Sequence, residues 1–245
     1  CNVARLAVEL NVKRLVHIST TDVYGLHDFN GESEEELPFD NNLSNPYPEF
    51  KIKAEKWLRS NMPAECLTVL RPAAVWGPGD TTLTLRFADF LHYSPYIFHF
   101  GPWSGQNRWP LAHVQNLAMA TLEACLQPET AGQTLNILDS EHTTIEQFYQ
   151  MVARNYHPNR SYRRIYLPLW FGGAIGKLST TTSNLLRRNH PLFDPSRYAV
   201  YSMSRNLDFS NHRFEEMLQR GRRKPVHRTE AEKELLCSNR NDTNM

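Results

Sequence analysis

Tyr47 and Lys51 stand four residues apart in Tyr47-Pro48-Glu49-Phe50-Lys51. On a helix, that spacing puts both side chains on one face. A phenol holds its proton to about pH 10, and a nearby ammonium favours the phenolate. Such a pair can exchange a proton with an alcohol or a carbonyl. The competing reading is a solvated helix face, so the flanking residues have to decide. Twenty-seven residues upstream, Ser19-Thr20-Thr21-Asp22 directly follows the short apolar run Leu15-Val16-His17-Ile18. Hydroxyls at the carboxyl end of a buried strand lie where open α/β sheets bind ligands; a Ser/Thr turn or helix cap is the plainer alternative.

The elements that must position these groups follow from periodicity. Val3, Leu6, Ala7 and Leu10 recur at helical spacing from the first residues, with no capping residue or signal pattern before them. The expectation is therefore that the protein's own start lies further upstream. Residues 15–18 read as a buried parallel strand. Residues 26–46, rich in Asp, Glu, Asn and Gly, read as a surface loop with Glu34, Glu35 and Glu36 solvated and His27 exposed. A helix from Tyr47 to about Asn61 accepts Pro48 near its start and lines up Tyr47, Lys51, Ala54 and Leu58. Leu67 to Leu70 reads as the next strand, and Arg71 to Asp80 as the loop that leaves it. Strand, hydroxyl loop, helix, strand and loop in that order make a parallel α/β arrangement whose strand ends open to one edge.

Composition narrows the class. The 245 residues carry Lys+Arg 27 against Asp+Glu 26, a net charge of +1, so no basic field points to nucleic acid. A hydrophobic fraction of 40% fits a folded chain. Cys1, Cys66, Cys125 and Cys237 lack metal or redox spacing, which points to a reducing compartment, taken as the cytoplasm. The most apolar stretch, 165–175, is broken by Pro168 and Gly172-Gly173, so no transmembrane segment is expected.

Three stretches in register resemble the extended short-chain dehydrogenases/reductases, which include sugar-nucleotide epimerases and dehydratases. They are Ile18-Ser19-Thr20-Thr21-Asp22-Val23-Tyr24-Gly25, Tyr47-x-x-x-Lys51 with Ala54-Glu55, and Leu70-Arg71-Pro72-Ala73-Ala74-Val75-Trp76-Gly77-Pro78-Gly79-Asp80. The resemblance implies a Rossmann-type parallel sheet that binds NAD or NADP, plus a smaller α/β substrate domain. It makes Tyr47 the catalytic acid/base and Lys51 the group that lowers its pKa and holds the nicotinamide ribose. Thr20 becomes the substrate-orienting hydroxyl, with Ser19 the alternative, and Pro72 to Val75 the backbone against the nicotinamide.

The glycine-rich phosphate turn of that family and its helix asparagine are expected upstream of Cys1. Residues 1–80 would then be the second half of the dinucleotide-binding domain. Residues 81–220 would be mainly substrate-binding, interleaved with returning Rossmann elements, and 221–245 an unstructured basic and polar tail. Within 81–220, 83–91 reads as a helix, 96–101 as a strand, 132–138 as a strand and 144–155 as a helix capped by Thr143 or Thr144.

Val114-x-Asn116-Leu117-Ala118 resembles the 3β-hydroxysteroid dehydrogenase branch, with His113 a packing or hydrogen-bonding residue rather than a second base. In that branch, the apolar helix expected over 167–186 lines the pocket or touches a membrane surface; a core helix is the plainer reading. The function implied is interconversion of an alcohol and a ketone on a lipophilic, steroid-like small molecule, by a homodimer or a single chain. A sugar-nucleotide epimerase and a catalytically silent dinucleotide-binding scaffold are the alternatives.

Overall fold

The computed structural model describes residues 2–174 and 197–232. Three strands, β1 (Leu15–Ile18), β2 (Leu67–Pro72) and β6 (Thr134–Ile137), form a parallel sheet in the order β1-β2-β6. Side chains alternate across β2. Leu67 and Val69 pack with Leu58 of helix α2 (Pro46–Asn61), with Met62 just past its end and with Ala4 of helix α1 (Asn2–Glu9). Leu70 faces the other way, into Ala120 and Ala124 of α4 (Val114–Leu126) and Phe214, Met217 and Leu218. Those last three belong to a late helix, α7 (His212–Arg220). Helices therefore cover both faces, as a parallel sheet requires. β1, at one end of this sheet, is only half-buried.

The segment after β2 departs from the expected loop. β2 runs on through Pro72, which is buried opposite Ile137, and the chain bends at Ala73 before β3 (Ala74–Trp76). β3 pairs in parallel with β5 (Leu111–His113), Val75 opposite Ala112. Proline ends a strand without losing a needed donor. Gly77 follows with φ of 129°, and a Cβ there would stand 2.8 Å from His113 Nε2. His113 is fully buried with its ring 5.0 Å from Trp76, a packing role.

The remaining elements build a second lobe. Helix α3 (Thr84–Tyr93) packs on α5 (Ile145–Tyr156) through Phe87, Phe148 and Tyr149, and strands β4 (Tyr96–Phe100) and β7 (Arg163–Leu167) pair in parallel. Thr144 caps α5 by accepting from Gln147 N while the Gln147 side chain returns the bond. Helix α6 (Arg197–Ser204) lies on β4. The chain thus returns to the first sheet through α4, β6 and α7.

The apolar helix expected over 167–186 is seen at 169–174, just after Leu167 closes β7, and 175–186 lie outside the described residues. Two expectations change. Glu34 is buried, not solvated, because its carboxylate accepts the backbone N–H of Asn136 at the sheet. Residues 221–232 are packed: Val226 exchanges hydrogen bonds with the Asn116 side chain, Arg228 donates to Glu141 and Thr143, and Ala231 is fully buried. The rest of the expected tail, 233–245, lies outside the described residues.

Candidate active site

The end of β1 and the start of α2 bring Thr20, Tyr47 and Lys51 together. Asn45 caps α2 by accepting from Tyr47 N, 2.9 Å, which fixes where the helix begins and where Tyr47 points. One turn on, Lys51 Nζ donates to Ile18 O at the carboxyl end of β1, 2.8 Å, and lies 5.9 Å from the Tyr47 ring centroid. The Thr20 hydroxyl oxygen accepts from Asp22 N at 3.2 Å, the cap of a short 3-10 turn over Thr21–Val23, so the turn reading of Thr20 holds.

Electrostatics around Tyr47 differ from the expectation. Burial raises the phenol above its ordinary value, the negative charge of Asp22 adds to this, and the nearby Thr20 hydroxyl opposes it. Lys51 does not act as the depressing charge in this arrangement, because its ammonium is drawn to the Ile18 carbonyl. Its own pKa is lowered by burial, against the pull of Glu55. Tyr47 is thus a neutral proton donor near pH 7, half-exposed to the space in front of it.

That space is a cavity of about 660 Å³. Asp22 and Tyr47 line it together with Leu83 and Phe87 of α3, Trp109, and Tyr198 and Met203 of α6. Arg86, Thr82, Ala199 and Ser202 complete the lining. Asp22 and Tyr198 are the functional-site residues the sequence reading passed over. The Asp22 carboxyl is raised by burial and eased by the side chains of Tyr198 and Thr20. The Tyr198 phenol is raised by burial and then by Asp22. Asp22 sits inside the first signature, so its position was legible. Tyr198 carries no local signal, being 151 residues from Tyr47 in sequence and brought in only by α6.

Behind the cavity, the three signatures are tied by one buried network. Arg71 Nη2 donates to Glu55 Oε2 at 2.7 Å and Arg71 Nε to Oε1 at 3.1 Å; Arg71 Nη1 donates to the Tyr24 hydroxyl, 2.9 Å, which donates to Asn136 Oδ1, 2.7 Å. Glu55 and Asn136 are fully buried. Burial alone would raise Glu55, but the Arg71 hydrogen bonds and charge outweigh it and hold the carboxylate low. Burial lifts the Tyr24 phenol to about 12, so it stays a donor. This network holds α2, and with it Tyr47 and Lys51, against β2 and β6. A second hub, Asp139, accepts from Trp76 Nε1, His113 N and Asn116 Nδ2 at 2.7, 2.7 and 2.8 Å, which gives Asn116 a structural task.

A nicotinamide ribose fits this edge. Lys51 spends one of its three N–H donors on Ile18 O, leaving the others for ribose hydroxyls. Pro72 ends β2 and Val75 is the middle residue of β3, and both would offer backbone. The sequence holds no Gly-x-x-Gly-x-x-Gly turn for a pyrophosphate.

Comparison with known proteins agrees with this fold. The chain is 28% identical over 214 residues to a decarboxylating sterol-4-alpha-carboxylate 3-dehydrogenase of Candida albicans, a match covering 81% of this chain and 59% of that protein. A 2-alkyl-3-oxoalkanoate reductase of Stenotrophomonas maltophilia is 36% identical over 112 residues, 44% of this chain and 33% of its own length. Among solved structures, a UDP-glucuronic acid 4-epimerase from Bacillus cereus, in complex with UDP-glucuronic acid and NAD, superposes with a TM-score of 0.62 at 16% identity, over 95% of this chain and 64% of that one. The chain therefore spans well under two thirds of the length of the curated relatives it matches. A family model covers residues 1–137, more than half of the chain, and on that match the chain belongs to the NAD dependent epimerase/dehydratase family.

Proposed function

We propose that this chain carries the proton-transfer and substrate-binding part of an NAD-dependent oxidoreductase that interconverts a secondary alcohol and a ketone on a lipophilic molecule. The observation that carries the reading is the largely apolar cavity that opens directly on Tyr47. Thr20 and Tyr47 both reach one substrate oxygen, Thr20 to orient it and Tyr47 to exchange its proton. In the reducing direction the neutral phenol donates that proton to the nascent alkoxide; in the oxidising direction it takes it back. Lys51 holds the ribose and keeps α2 at the strand end, while the bound cofactor supplies or accepts hydride. Leu83, Phe87, Trp109 and Met203 exclude water from the reacting carbon. The names of the Candida and Stenotrophomonas relatives, a sterol dehydrogenase and an oxoalkanoate reductase, support a lipophilic substrate over a nucleotide sugar. So does a wall with little polar surface for a sugar or a base to pair with.

The test is turnover by the full-length protein on a panel of long-chain secondary alcohols and ketosteroids with NADH or NAD. Tyr47→Phe is expected to cut kcat by about 10²–10⁴-fold with the fold intact by circular dichroism. Equal turnover by wild type and Tyr47→Phe would sink the mechanism. Epimerisation of a UDP-sugar without net cofactor consumption would select the sugar-nucleotide reading instead.

A further inference from the structure

Two hydrogen-bond donors meet in the cavity wall without a good acceptor. Trp109 is 5% exposed and packs edge to edge with Phe87 and Phe148. Its indole N–H is directed at the Ser202 hydroxyl oxygen at 3.5 Å, longer than the roughly 2.7–3.2 Å of an ordinary N–H···O bond. Trp76 shows what a buried indole does where an acceptor is at hand: its N–H reaches Asp139 Oδ2 at 2.7 Å. Ser202 is no better settled. A helix serine can return its hydroxyl to the carbonyl four residues back, as Ser204 does to Val200 O. Among the described residues Ser202 makes no such bond to Tyr198 O, and its only side-chain partner is the Trp109 N–H, so its own O–H has no acceptor. Both side chains line the cavity that opens on Tyr47.

Helix geometry separates this point from the reacting end. Tyr198, whose phenol feels the charges of Asp22 and Tyr47, and Ser202 are four residues apart on α6. They share one helix face and lie about 6 Å apart along its axis. A buried donor without an acceptor is costly, and two donors turned to one spot are matched by one oxygen with two lone pairs. A carbonyl oxygen has that form. Neither donor is charged, and the walls made by Leu83, Phe87 and Met203 offer nothing to replace the hydration of an anion. The acceptor that suits the spot is therefore a neutral carbonyl.

We infer that Ser202 and Trp109 bind a second, uncharged carbonyl group on the same lipophilic molecule whose hydroxyl or ketone reaches Tyr47, so that the substrate is bifunctional. This rests on the reading of the cavity as the substrate site. The Ser202 O–H and the Trp109 N–H both donate to the second carbonyl oxygen, the apolar walls hold the body between the two ends, and the reacting carbon is presented to Tyr47. The second carbonyl exchanges neither proton nor hydride. Ser202 and Trp109 thus determine specificity, and Tyr47 does the chemistry.

Calorimetry on the full-length protein tests this without turnover. The probes are a long-chain monoketone and a series of diketones of the same length in which the second carbonyl moves along the chain. Wild type is expected to bind one member of the series about fivefold more tightly than the monoketone, the scale of one neutral hydrogen bond. In Ser202→Ala that preference should fall most of the way to parity, and Trp109→Phe, which keeps an aromatic ring but loses the N–H, should reduce it as well. Equal affinity across the whole series, or a preference that survives Ser202→Ala, overturns the inference. So does a long-chain keto acid that gains more from Ser202 than any diketone does, because the spot would then be built for an anion. An enzyme that turns over monoketones through Tyr47 and prefers no diketone would remove this inference and leave the oxidoreductase reading standing. Turnover of a UDP-sugar with no binding of either ketone would remove both.

Discussion

Asp22 sets the proton affinity of Tyr47. Its charge raises the phenol, second only to burial, and its own carboxyl is raised by burial. Asp22→Asn removes that charge, so the Tyr47 pKa falls. Oxidation needs the phenolate, and its rate rises with pH as the phenol ionises; the rising limb of kcat/KM should therefore move to lower pH in Asp22→Asn. Reduction needs the neutral phenol, and its falling limb should move the same way. A cofactor-free check is the tyrosinate absorbance of Asp22→Asn minus that of Asp22→Asn/Tyr47→Phe, whose midpoint should lie below the matching wild-type difference. An unchanged midpoint would mean that the carboxyl does not act on Tyr47. The spacing of Tyr47 and Lys51 made their shared face legible in the sequence. The direction of the Tyr47 shift was not legible, because it depends on where the Lys51 ammonium goes, and the Ile18 carbonyl takes it.

At the scale of elements, α2 is held in place by an ion pair it buries. Glu55, one turn after Lys51, is fully enclosed and faces Arg71 of β2. Removing one partner leaves an uncompensated buried charge, which costs about 3–5 kcal/mol. Arg71→Met is therefore expected to lower the urea midpoint strongly at pH 7, with Glu55 left charged. The double variant Glu55→Leu/Arg71→Met should lose much less than the sum of the two single changes. Additive losses in the urea curves would show that the two residues do not share one interaction.

Pro72 to Val75 read in sequence as site backbone, and their neighbour Arg71, with Tyr24 of the first signature, turns out to bolt three elements together. The order β1, α2, β2 was legible because local hydrophobic runs and the Asn45-Pro46 start mark each element. β3 was not, because a three-residue strand in Ala74-Val75-Trp76 has too little pattern to distinguish it from a loop. It exists only because β5, 37 residues on, supplies the partner. Glu34 was misjudged for the same reason: an acidic run reads as solvated until a distant strand offers Asn136 N–H.

At the scale of the whole molecule, titratable groups pull stability in opposite directions as pH falls. The carboxyls of Asp22, Glu34 and Asp139 are raised, chiefly by burial. A raised folded pKa gives stability that is present at low pH and lost as pH rises. His99 runs the other way. It is buried on β4, with Nε2 2.9 Å from Glu146 Oε2 and its ring stacked on Tyr166. Burial lowers its pKa below 6.5, and the Glu146 hydrogen bond and charge only partly offset this. A lowered folded pKa gives stability that is present above the unfolded value and lost as pH falls through the folded one. The lobe that holds β4, β7 and α5 is therefore the part that acid should loosen as pH falls below 6.5, before Glu55 and Glu146, both held low, begin to protonate. His99→Gln keeps a hydrogen-bonding side chain toward Glu146 but cannot take up the proton. Its Tm is expected to be below that of wild type at pH 8 and to change less between pH 8 and pH 5.5, so that the two curves converge as pH falls. Parallel Tm-against-pH curves for the two proteins would place the acid sensitivity elsewhere than His99.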